Sequence, residues 1–124
     1  MNKNRPVNLD LSTITLPVTG YVSILHRMSG VVMLAGVLGL IWLLDATLSS
    51  AEGFASVQRC FASMGAKIVI WGILSALAYH LVAGIRHLIM DMGVGETLEG
   101  GRLGAKLVLV IAAVLILGLG VWLW

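Results

Sequence analysis

A histidine at position 80 lies deep inside an apolar run, KIVIWGILSALAYHLVAGIRHLIMDMG over residues 67–93. Between Lys67 and Arg86 no residue carries a formal charge. As a helix, Lys67 to Asp91 would be about 36 Å long, enough to cross a hydrocarbon core of about 30 Å. An ionisable side chain at that depth is expensive and marks a functional site by default. Gly72, Ala76, His80 and Gly84 stand four residues apart. That stripe of small residues fits close helix packing, with the imidazole hydrogen-bonded to a neighbouring carbonyl. It equally fits a shallow groove for a flat porphyrin, with His80 as an axial iron ligand. Spacing leaves both readings open. No Cys-x-x-Cys-His run occurs, so a haem here would be held noncovalently, as b type. His87 lies near the same face but about 10.5 Å further along the axis, so it cannot share the iron with His80. His26, near the end of another span, is expected to be too shallow to meet His80 at one metal. The second ligand is therefore expected from another chain.

Ser23, His26 and Arg27 form the second constellation. Ser23 and Arg27 are i,i+4 and Ser23 and His26 are i,i+3, so the three side chains can converge. A hydroxyl beside a guanidinium at the membrane edge can hydrogen-bond a carbonyl oxygen and stabilise negative charge developing on it. A quinone ring whose tail lies in lipid, or a haem propionate, would suit that pair. A snorkelling arginine on lipid phosphate is the plainer alternative. Arg86, His87 and Asp91 read first as anchors at the interface. No nucleophile–base pair, phosphate loop or zinc motif is present, so no self-contained enzyme is expected.

The elements that position these groups follow from composition. The 124 residues are 59% hydrophobic and 11% charged, with mean hydropathy +1.00; soluble proteins carry about 25% charged residues. The expected fold is an all-α membrane protein, a single unit over 1–124 with a polar arm at 1–18 and spans at about 19–48, 63–91 and 103–124. The eight basic residues are scattered, which argues against nucleic acid. The one cysteine, Cys60, excludes an intrachain disulfide. The polar start shows no h-region or cleavage pattern, so no cleaved signal peptide is expected.

Along the arm, Pro6 and Pro17 disfavour helix before them, and Asn8, Asp10, Ser12 and Thr13 suit an irregular hydrogen-bonded segment. Thr19 is a plausible N-cap for the first span. Residues 49–62 fit a short surface helix capped by Ser49 and Glu52, with Phe54, Val57 and Phe61 on one face. Residues 91–104 read as a glycine-rich loop. In the third span Gly104, Ala112, Gly118 and Gly120 permit close contacts, and Trp122 and Trp124 mark the far interface. Lys3, Arg5, Arg27, Arg86, Arg102 and Lys106 oppose Arg59 and Lys67. The positive-inside rule then puts the N-terminus and second loop in the cytoplasm and the C-terminus outside.

Three stretches carry a family resemblance: RPVNLDL at 5–11, SILHRMS at 23–29 and HLVAGIRHLIMDMG at 80–93. With the arm and three spans in order, the chain resembles the cytochrome b membrane-anchor subunit of succinate dehydrogenase, most closely the enterobacterial type. The resemblance implies a helical bundle with a second small anchor subunit, which holds a flavoprotein and an iron–sulfur subunit on the cytoplasmic face of the bacterial inner membrane, with the C-terminus periplasmic. It implies haem b shared between the anchors, with His80 as this chain's ligand. It implies ubiquinone reduction near the iron–sulfur subunit, with Ser23 and Arg27 in the quinone pocket and His26 and Arg27 near the haem propionates. His87 and Asp91 would be supporting groups around these sites.

Two neighbouring readings share most of these features. One is the anchor of a fumarate reductase, with electrons running the other way; the other is a haem-free structural anchor in which His80 only packs. A small transporter fits poorly, because all six acidic residues lie in the arm, loops or span ends.

Overall fold

The computed structural model describes residue 7, residues 9–10 and residues 12–124. The expected roles of Lys3, Arg5, Pro6 and Asn8 lie outside the described residues. Four helices follow in order: α1 Val18–Ser49, α2 Ala51–Phe61, α3 Met64–Asp91 and α4 Leu98–Leu123. Three of them, α1, α3 and α4, are long and apolar enough to span a membrane, with mean hydropathies of 2.2, 2.0 and 2.6. Only 6%, 17% and 11% of their most apolar windows are buried within the chain. That much uncovered apolar surface suits lipid and partner helices and would not suit water. The chain is an all-α, multi-pass membrane protein.

The arm ends in a local turn. The Ser12 amide and hydroxyl both donate to the Asp10 carboxylate, at 3.0 and 2.7 Å. The hydroxyl bond and then the amide bond hold the Asp10 carboxyl below the usual carboxylate range. α1 begins one residue before the expected cap: Pro17 is the extended N-cap, and its carbonyl accepts from the Gly20 amide at 2.9 Å. Thr19 is already helical. The surface helix is present, but its cap is Ser50, whose hydroxyl accepts from the Gly53 amide at 2.9 Å. Ser49 instead donates back to the Ala46 carbonyl at 2.8 Å, closing α1. Phe54, Val57 and Phe61 do share a face, set against Leu40, Leu44 and Thr47 of α1.

α3 is central and packs against both α1 and α4. Ser63 caps its start, and Gly93 ends it with φ +82°, a conformation that favours glycine. There the Gly93 amide donates to Met90 at 2.9 Å and the Val94 amide to Ile89 at 3.3 Å, a Schellman closure. α4 starts five residues earlier than the expected 103. Thr97 caps it by accepting from the Gly100 amide at 3.1 Å. Gly100 and Gly101 do not break this helix, because they serve close approach. A Cβ on Gly100 would stand 2.9 Å from the Thr97 hydroxyl, and Gly101 is buried, with Thr19 of α1 3.8 Å from where a Cβ would stand.

The buried core is Val22, Tyr79, Ala83, Ala105, Val108 and Ala112. It lies at one end of the bundle, where α1 begins, α3 ends and α4 begins. Small residues let the helices touch there, as expected for membrane helices that gain nothing from burying leucine in place of lipid. At the other end Trp71 donates to the Ile116 carbonyl at 2.9 Å and meets Trp124 edge-on at 6.3 Å. Of the small residues expected at contacts in the third span, Gly104 and Gly120 do meet α3, at Arg86 and Trp71, and Ala112 is buried. Gly118 meets nothing within 4 Å.

Candidate functional site

Two adjacent stripes on α3 organise the packed end. Tyr79, Ala83 and Arg86 are buried. His80, Gly84 and His87, each one residue further on, face His26 of α1. The helices run antiparallel, so the early turns of α1 lie beside the last third of α3.

This arrangement corrects the expected depth of His26. Its ring stacks on that of His80, with centroids 4.0 Å apart and planes 18° apart. On its other side it meets the His87 ring edge-on at 5.0 Å. Because α1 starts at Val18, His26 is already about 12 Å along its helix, close to the depth of His80. Stacked parallel rings do not aim their nitrogens at one point, so the pair still does not form a two-histidine metal site. Among the described residues no group of three or more metal-ligating side chains converges.

His80 is held by a triangle of polar atoms. Its Nδ1 lies 3.0 Å from the His26 backbone carbonyl and 3.0 Å from the Ser29 hydroxyl oxygen. The Ser29 hydroxyl in turn donates to the His26 carbonyl at 2.7 Å. A carbonyl oxygen can only accept, so the proton must sit on Nδ1. The other nitrogen, Nε2, then carries the lone pair. It makes no hydrogen bond and is not enclosed by the chain. That is the tautomer a metal-ligating imidazole adopts when a backbone carbonyl orients it. Gly30 permits the approach: a Cβ there would lie 3.2 Å from the His80 Cε1. Along the stripe, Gly84 is closed by the His26 Nε2, 3.5 Å from where a Cβ would stand, and Gly72 is open. One presented nitrogen fits one axial ligand to a flat macrocycle, although along the small-residue stripe only Gly72 is open.

The His26 Nε2 is enclosed and has no hydrogen-bond partner among the described residues. A buried polar nitrogen without a partner is uncommon and points to a missing one. Ser23 is half-buried and Arg27 exposed. Their spacing allows convergence, but no hydrogen bond joins them among the described residues. Asp91, the last residue of α3, is exposed.

Arg86 is no surface anchor. It is 9% exposed and donates to the Gly101 carbonyl of α4 at 3.1 Å. Its Nε lies 3.2 Å from where a Gly104 Cβ would stand and has no partner of its own. The last turn of α3 is thus strapped to α4. Ser29, Gly30 and Tyr79 carry no role in the sequence reading. Their signal is positional: Ser29 is i+3 from His26, and Tyr79 precedes His80.

The family model for the succinate dehydrogenase/fumarate reductase transmembrane subunit matches residues 1–119. The succinate dehydrogenase cytochrome b556 subunit of Coxiella burnetii is 41% identical over 125 residues, covering 100% of both chains. That of Paracoccus denitrificans is 36% identical over 96 residues, 77% of this chain and 74% of the relative. The cytochrome b560 subunit of Reclinomonas americana is 31% identical over 118 residues, 90% of this chain and 81% of the relative.

Proposed function

We propose that this chain, which belongs to the succinate dehydrogenase/fumarate reductase transmembrane subunit family, is the haem b anchor of a succinate dehydrogenase and forms part of its ubiquinone-reduction site. The observation that carries the reading is His80, held through Nδ1 with Nε2 presented in the middle of a membrane helix. Direction follows the relatives, which are named as succinate dehydrogenase subunits.

Each residue has a role in this reading. His80 would supply one nitrogen ligand to the haem, and a second small anchor subunit would supply the other. The haem, when bound, adds a one-electron redox centre inside the membrane. Arg27 would hold the propionates, with His26 beside it. Ser23 and Arg27 orient the quinone by donating to a carbonyl oxygen, and the guanidinium stabilises charge that builds on that oxygen. His87 and Asp91 flank these groups, with His87 bracing the His26 ring at 5.0 Å.

The whole chain serves as one anchor unit for the flavoprotein and iron–sulfur subunits in the bacterial inner membrane. Exposed Arg27, Arg102 and Lys106, with Lys3 and Arg5, support a cytoplasmic N-terminus and α3–α4 loop and a periplasmic C-terminus. Buried Arg86 is better left out of that count. Affinity purification of the tagged chain from its own membranes tests the reading. A flavoprotein, an iron–sulfur protein and a second three-span protein should co-purify with succinate:ubiquinone reductase activity. Recovery of the chain without succinate-oxidising subunits would contradict it.

A further inference from the structure

Ser29 lies one turn beyond His26 and is 7% exposed. Its single hydroxyl proton goes to the His26 carbonyl at 2.7 Å. The serine oxygen therefore faces the His80 Nδ1 with its lone pairs, at 3.0 Å. The His26 carbonyl stands at the same distance from that nitrogen. If the Nδ1 were unprotonated, its lone pair would oppose the carbonyl's at this distance. The Nδ1–H is thus shared between two acceptors, and one of them is a side chain that mutation can remove. An imidazole N–H given to acceptors makes the opposite nitrogen a stronger donor to a metal.

We propose that Ser29 is a positioning residue for the haem: its oxygen accepts from the His80 Nδ1–H, holds the ring in that tautomer and strengthens Nε2 as an iron ligand. The proposal rests on His80 being the axial ligand. Stronger donation favours the oxidised iron, so losing the Ser29 acceptor makes the haem easier to reduce.

The test uses the assembled complex, with redox titration of the visible spectrum and the low-spin electron paramagnetic resonance signal. Ser29→Ala should leave succinate oxidation by an artificial acceptor unchanged. Its haem potential should move to more positive values and its low-spin signal should shift. Ser29→Thr, which keeps the hydroxyl, should restore both. A Ser29→Ala potential that is unchanged or more negative, with the spectrum still dependent on His80, overturns the Ser29 proposal alone. If Ser29→Ala binds no haem, recovery of haem in Ser29→Thr supports the proposal, and loss in both overturns it. A wild-type spectrum in His80→Leu removes His80 as the ligand and overturns the underlying reading together with the proposal.

Discussion

The Tyr79 hydroxyl of α3 donates to the Val22 carbonyl of α1 at 2.8 Å, inside the buried core. This bond sets the register of the two helices one residue before His80 and one turn before His26. Register decides which α1 atoms meet the His80 ring. A small shift of α1 would carry the His26 carbonyl and Ser29 away from Nδ1. The tyrosine therefore acts on the site without touching it.

Replacing Tyr79 by Phe keeps the ring and removes the bond. A buried hydrogen bond contributes about 1 kcal/mol net. The Tyr79→Phe complex should assemble with its cofactor and lose it at lower temperature than wild type on heating in detergent. Thermal release of haem, followed optically, checks this; an unchanged release curve would count against the tether.

Gly30→Ala puts a methyl 3.2 Å from the His80 Cε1, where the ring must give way. Gly39, on the same helix, has nothing within 4 Å. Gly30→Ala should alter the b-type spectrum or lower haem content per complex, while Gly39→Ala behaves as wild type. Equal behaviour of the two variants would remove Gly30 from the site.

Gly36→Ala tests the α1–α3 contact further along the bundle. The new Cβ would lie 2.9 Å from the Ile73 Cγ2, a methyl fixed to the branched Cβ that cannot swing clear as the end of a long side chain could. Overpacking of this kind destabilises by about 1–3 kcal/mol. Combined with Ile73→Ala, which removes the colliding methyl, the loss should be smaller than the sum of the single losses. Strict additivity in thermal denaturation of the complex would mean the two residues do not meet.

Arg27→Ala should impair ubiquinone reduction and spare succinate oxidation by an artificial acceptor. A hydrogen bond from a charged donor contributes about 1.5–3 kcal/mol, so the rate should fall by roughly 10- to 100-fold. Parallel assays with the two acceptors measure it. Equal losses in both would place the defect in assembly and not at the quinone.

The three spans and the place of His80 inside one of them were legible because apolar length and the absence of charge are properties of the sequence alone. So was the surface helix between α1 and α3. Helix ends were less so. Thr97 caps α4 across a glycine pair that resembles a loop, since glycine reports close approach and chain breaking with the same letter. The depth of His26 was misjudged because the helical turns before Val31 were read as the interface end of the span, whereas the interior of α3 packs alongside them. Polar turns can be helical when another helix supplies their partners. Arg86 read as an anchor because charge predicts exposure; the bare Gly104 of α4 makes room for it and the Gly101 carbonyl accepts its bond. Ser29 stood in the 23–29 stretch without a role, because its partners are a backbone carbonyl and a ring on another helix, which no local motif encodes.

The central claim is that His80 presents Nε2 to a haem shared with a partner. A dithionite-reduced minus oxidised visible spectrum of the purified complex, wild type beside His80→Leu, tests it most directly. The account predicts a b-type spectrum in the wild type that is lost or altered in the variant. An identical spectrum in both would place the ligands elsewhere and leave His80 as a residue that only packs against Ser29 and His26.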